Sequence, residues 1–238
     1  PFTVSWMGIG ASSSFQTLWS QNVRTSIDKI DGICQNDHMS TDLPPNDRIA
    51  TILAAAFRAF AAYGYRRTTM DDIATAAGLS RTALYQNFRN KEDIFLQLTR
   101  DYMSAALADM RAVFRREGPP AEVLEAAFAA KAGKFMAIIL DTPHGRELME
   151  AGFAVAGDLA QEAEAGMQAL VQDWLQGFEI DPALGTAADL AATAQAGLKG
   201  LKLTARSLPE YETGQRTLAR LVAAGLGPRK SGKAVKDA

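Results

Sequence analysis

From Ile49 onward apolar positions recur every three to four residues, and no strand-length run alternates between apolar and polar. Ile49, Ile52, Leu53, Ala56, Phe57 and Phe60 fall at i, i+3, i+4, i+7, i+8 and i+11, the stripe of a core helix that Asn46 or Asp47 caps and Gly64 ends. Met70, Ile73, Ala74 and Ala77 make a second, shorter stripe, and Leu84 and Phe88 a third. A fourth opens with Ile94, Phe95, Leu98 and Tyr102 and can run to about Glu117, where Gly118-Pro119-Pro120 stops it. Beyond it, breakers at Asp141-Thr142-Pro143, Glu179 to Pro182 and Leu208-Pro209 predict helices over about 121–140, 144–178 with a break near Gly152 to Gly157, 183–206 and 209–225. The expected class is all-α, without strands.

The stretch from Thr68 to Lys91 carries the most local detail. Thr69 is suited to cap a helix, Asp72 completes a capping box, and Asp71 sits favourably at the positive end of the helix dipole. Gly78 stands where a helix ends in a left-handed residue. Leu79 and Leu84 occupy the two positions of a hydrophobic staple around a Ser80 cap. These signals predict two short helices joined by a tight turn, a helix-turn-helix. With Leu84 and Phe88 turned inward, Thr82, Gln86 and Arg89 point outward, flanked by Ala83, Tyr85 and Asn87, with Arg81 in the exposed first turn.

The run GLSRTALYQNFRNKEDIF closely resembles the DNA-binding signature of TetR-type transcriptional regulators, in the order of its Ser, small pair, Leu-Tyr, Phe and Lys-Glu. The resemblance covers roughly Arg48 to Leu98; Thr82 stands in place of the usual Gly and Asn87 in place of a second aromatic. It implies an N-terminal three-helix DNA-binding domain over 46–93 and a C-terminal helical ligand-binding and dimerisation domain over 94–227. Thr82, Gln86 and Asn87 would then meet base edges, Arg81 a guanine or a phosphate, and Thr69, Ser80, Tyr85 and Lys91 the phosphates of double-stranded operator DNA. Phe128, Phe135, Met149, Phe153 and Trp174 are expected to line the cavity of a small, largely hydrophobic effector, with Arg146, Gln161 or His144 orienting it; bundle core is the alternative for each apolar residue. The small-residue helix from Ala187 to Ala205, with Gly197 and Gly200, and the leucines Leu218 and Leu221 are where a homodimer would form. The function this implies is a repressor released from its operator by the effector. The alternative is a binding or interaction protein of the same fold that does not read DNA.

Composition narrows this further. A net charge of −2 over 238 residues means that DNA affinity must come from a local patch, and Arg66, Arg67, Arg81, Arg89 and Lys91 cluster around the motif. The single Cys34 fits a reducing cytoplasm, and no apolar run approaches the ~20 residues of a membrane span. Residues 1–45 read as an upstream extension and leader, with Met39 as a candidate start and an extra helix from Ser14 to Ile30 as the competing reading; 228–238 read as a loose tail. No metal or cofactor is expected and no enzyme, since there is no E-x-x-H pair, Cys/His spacing, P-loop or G-x-S-x-G elbow. His144 reads as a solvated or capping residue. Glu147 and Glu150, or Glu162 and Glu164, read as exposed helix faces.

Overall fold

The computed structural model describes residues 45–132 and 135–230. The reading of 1–44 as extension and leader and the tail beyond 230 lie outside the described residues, as do the side chains of Asn46, Phe135 and Phe153. Helix α1, Pro45–Tyr63, starts on a proline, whose missing N–H is no loss in a first turn, and buries Ile52, Leu53, Ala56 and Phe60. Gly64 ends it at φ +86°, a left-handed conformation that favours glycine. Helices α2, Met70–Ala76, and α3, Arg81–Tyr85, follow, and Asn90 caps the long α4, Lys91–Phe114. The boundary expected after residue 93 falls inside α4, and the two parts share one rigid helix.

The C-terminal helices are α5, Pro120–Ala132, α6, Phe135–Asp141, α7, Gly145–Leu175, α8, Ala187–Thr204, and α9, Leu208–Ala224. The break expected near Gly152 to Gly157 is present as a kink at Ala156, whose backbone leaves the helical region, while burial of Leu148, Ala151, Ala156 and Met167 holds α7 on either side of it. A difference from the sequence reading has a local cause. Helix α8 starts later than 183, because Pro182–Leu184 form a short 3-10 turn and Thr186 with Asp189 builds the capping box after it. No helix among the described residues is long and apolar enough to cross a membrane.

The expectation of no strands is corrected by a small ribbon: β1, Phe178–Ile180, pairs antiparallel with β2, Leu226–Arg229, with an irregularity in register. The start of the expected loose tail is therefore ordered. The Arg229 guanidinium lies 5.4 Å from the Phe178 ring centroid, and the Lys230 amide donates to the Gly177 carbonyl at 2.9 Å. Three- and four-residue strands are too short for alternation to appear, and Pro228 is tolerated because a two-stranded ribbon has only edges.

Two apolar clusters organise the molecule. One unites Ile52, Phe60, Tyr65, Ile73, Leu84, Phe88, Ile94 and Phe95 with Met136, Ile139, Leu148 and Tyr211. The core under the helix-turn-helix is thus completed by α6, α7 and α9. The other lies beyond it and gathers Met110, Leu124, Phe128, Met167, Trp174, Leu175, Leu198 and Val222.

Candidate nucleic-acid interface

The reading head is built by local hydrogen bonds that leave little freedom. The Asp72 amide donates to Thr69 Oγ1 at 3.2 Å and the Thr69 amide to Asp72 Oδ2 at 2.8 Å, the reciprocal capping box. This bonding holds the Asp72 carboxyl below the usual carboxylate range. Gly78 takes φ +66°, and the Leu79 amide donates to Ala74 at 2.9 Å, turning the chain toward α3. Ser80 Oγ accepts from the Ala83 amide at 3.1 Å. Leu84 is fully buried and Leu79 packs on the same cluster, so α3 rests on an apolar back.

Away from that back, Arg81, Thr82, Tyr85 and Gln86 are exposed, Tyr85 to 42%. Arg81 Nη1 lies 3.0 Å from Asp71 Oδ2, an ion pair joining α2 to α3, and its guanidinium is 5.5 Å from the Tyr85 ring centroid. The face therefore offers two hydroxyls, a carboxamide and a guanidinium, the groups suited to base edges and phosphates. Thr69 and Ser80 are exposed at the two helix starts, where amides point outward.

Two residues of the expected DNA set are placed differently. Asn87 lies past the last turn of α3, half-buried, and its Nδ2 donates to the Ala83 carbonyl at 2.8 Å, which turns the carboxamide inward. Lys91 is half-buried: its ammonium donates to the carbonyls of Tyr65, Arg66 and Thr68 at 2.9, 3.0 and 3.1 Å and lies 4.8 Å from the Tyr65 ring centroid. All three of its N–H bonds are spent inside the protein, so Lys91 ties the turn before α2 rather than presenting a charge. The basic cluster is also smaller than its count suggests, since Arg89 pairs with Asp93 at 2.9 Å just as Arg81 pairs with Asp71. Arg66 and Arg67 are exposed beside Thr69.

Of the expected effector residues whose side chains are described, those on α5 and at the end of α7 pack in one cluster and the one near the start of α7 in the other. Phe128 and Trp174 are buried in the far cluster, whereas Met149 packs against the one under the reading head. A cleft of about 620 Å³ opens elsewhere, lined by Gln172, Gln176, Glu179, Thr186 and Lys230 among others. Arg146 and Gln161 are exposed, and His144 starts α7 with Nδ1 3.5 Å from Glu147 Oε2.

The polar groups among the C-terminal helices come together from distant parts of the chain, with no local pattern to mark them. Lys131, only 4% exposed, is ion-paired and hydrogen-bonded to Glu164, whose other oxygen lies 3.6 Å from Lys202 and which also accepts from Gln195 Nε2. Burial pushes the Lys131 ammonium down to about 8 against the attraction of Glu164. Burial would raise Glu164, but its two lysines hold it below the ordinary value. Glu164 is therefore not on a solvated face, as its spacing had suggested. Nearby, Tyr102 Oη donates to the Ala132 carbonyl at 2.8 Å and Gln215 Nε2 to the Phe128 carbonyl at 2.8 Å, tying α4 and α9 to α5.

A capped helix, a left-handed glycine and a second capped helix with an apolar back and an exposed polar face together define a helix-turn-helix of the DNA-reading class. Residues 52–98 match the bacterial regulatory proteins of the tetR family. Over these residues the chain is similar to that family's N-terminal domain, and its largely helical fold is like that of solved structures described as TetR-family regulators. It is 32% identical over 88 residues to the transcriptional activator FasR of Mycolicibacterium smegmatis, which covers 37% of this chain and 40% of that protein. With the transcriptional repressor KstR2 of Mycobacterium tuberculosis it shares 34% over 85 residues, 36% of this chain and 42% of that one. These matches span less than half the length of either relative. A solved transcriptional regulator from Rhodococcus sp. Rha1 superposes with a TM-score of 0.58 at 21% identity, over 75% of this chain and 97% of that one. The SmeT–triclosan complex does so with 0.57 at 19%, over 78% and 93%. At these identities the likeness is one of fold.

Proposed function

We propose that the protein is a homodimeric transcriptional regulator that binds double-stranded operator DNA through α3 and is a repressor released by a small-molecule effector. The observation that carries this is the contrast across α3, a fully buried Leu84 behind an exposed face of Arg81, Thr82, Tyr85 and Gln86. A helix selected only for packing and solubility has no need of that mixture of donors and acceptors.

Two further features support the rest. Leu203 and Leu221 are 49% and 67% exposed on α8 and α9, and Gly200 has open space where a Cβ would stand, so a second copy can approach closely there. The Lys131–Glu164–Lys202 cluster, its Lys131 buried and its other two members half-buried beside an apolar set of helices, supplies polar anchors for an effector with an apolar body. That SmeT was solved with triclosan and that KstR2 is named a repressor favour the same reading here.

Paired substitutions on α3 test it. Tyr85→Phe removes an exposed hydroxyl and weakens binding to every duplex alike. Gln86→Ala changes preference at one or two base pairs by ~1–3 kcal/mol. Binding indifferent to both would take α3 out of the groove.

A further inference from the structure

We infer that Glu147 is a positioning residue for the reading head, through which the first turn of α7 grips the turn that presents Thr69; this rests on the DNA-binding function proposed above. The turn from Gly64 to Thr68 leads directly into the Thr69 cap of α2. Lys91 holds its carbonyls, and Thr68 Oγ1 bonds back to the Gly64 carbonyl at 2.8 Å. One of its donors is answered from far along the chain: the Arg66 amide donates to Glu147 Oε1 at 2.8 Å, across 81 residues. The carboxylate packs against Gly64, where a Cβ would displace it from this position, and the left-handed backbone of Gly64 itself favours glycine. This replaces the reading of Glu147 as an exposed helix face.

The contact is well placed to transmit position. Glu147 lies in the first turn of α7, where the helix dipole favours a carboxylate, and His144 one turn earlier lies 3.5 Å from its Oε2. Helix α7 runs from there to Leu175 with a kink at Ala156, so its far end belongs to the cluster of Met167, Trp174 and Leu175 while its start holds the reading head. A shift of α7 along its axis moves the Arg66 amide, and with it the Thr69 cap and the outward-pointing amides of α2. The reading head is therefore joined to the C-terminal helices through the continuous α4, through the apolar core it shares with α6, α7 and α9, and through this hydrogen bond, which fixes the turn before Thr69 directly.

The experiment compares the full-length wild type, Glu147→Ala and Glu147→Gln by site-resolved amide hydrogen exchange, with and without duplexes that the wild type selects from a random pool. Loss of a hydrogen bond to a charged acceptor predicts roughly tenfold or greater acceleration at the Arg66 amide in Glu147→Ala, and less in Glu147→Gln, whose side chain still accepts. Because coupling is reciprocal, duplex binding slows exchange in the first turns of α7 in the wild type. Glu147→Ala loses that response and weakens binding severalfold on all duplexes alike, with the dimer's melting temperature as the control for folding. A wild type that binds duplex with no response in α7, or an alanine variant that keeps the response, overturns the role of Glu147. A wild type that selects no duplex sinks the regulator reading and this role with it, while Arg66 exchange in the free protein still reports whether the contact exists.

Discussion

Lys91→Met is expected to lower stability by about 2 kcal/mol and to weaken operator binding at least tenfold on every sequence. Methionine keeps most of the volume but donates nothing, so the carbonyls of Tyr65, Arg66 and Thr68 lose their shared donor, two of them in partly buried surroundings. Leaving one such group unsatisfied costs ~1–3 kcal/mol, and the cation over the Tyr65 ring adds ~0.5–1 kcal/mol. The turn then no longer sets Thr69 where α2 begins, which blurs the phosphate contact without altering which bases α3 reads. Urea unfolding and duplex titration measure the two effects together. Unchanged stability with a salt slope reduced by about 1 would instead return Lys91 to the phosphate contact expected from the sequence.

Leu221→Arg is expected to convert the proposed dimer to monomer, raising its dissociation constant by about two orders of magnitude, since an unpaired guanidinium in an apolar interface costs on the order of 3 kcal/mol. Leu221 is 67% exposed in the single chain, so the monomer's own fold is left intact. Gly197 behaves differently from the sequence expectation. A Cβ there would stand 2.9 Å from Leu218 Cδ2 of the same chain, so this glycine lets α8 approach α9 within one protomer and its replacement by Arg would destabilise that protomer. Sedimentation of both variants separates the cases; Leu221→Arg remaining dimeric would move the interface off this face.

What was legible in the sequence is what neighbouring residues decide. The Thr69–Asp72 capping box, the left-handed Gly78, the Ser80 cap and the buried Leu84 are fixed by spacings of three to five residues, and the structure has each of them. The apolar stripe of α1 is equally local. What the sequence hid depends on distant partners. Glu147 and Glu164 have the spacing of solvated charges, and only the fold brings them to the Arg66 amide and to Lys131. Lys131 lies among alanines and reads as an ordinary surface lysine until α7 covers it. Asn87 on the flank of the projected helix and Lys91 in the first turn of α4 lie where the sequence shows neither that the chain leaves the helix after Gln86 nor that a turn folds back over the start of α4. The ribbon joining residues 178–180 to 226–229 was hidden by its brevity.

The most direct test is selection of duplexes from a random pool by the full-length protein, followed by titration of the selected and scrambled sequences across salt concentrations. The expected result is a two-fold-related pair of half-sites about one helical turn of DNA apart or a multiple of it, bound ~10³-fold or more tightly than scrambled DNA, with affinity falling steeply as salt rises. Enrichment of no sequence, with selected and scrambled duplexes bound equally at every salt concentration, would contradict a DNA-reading function for α3.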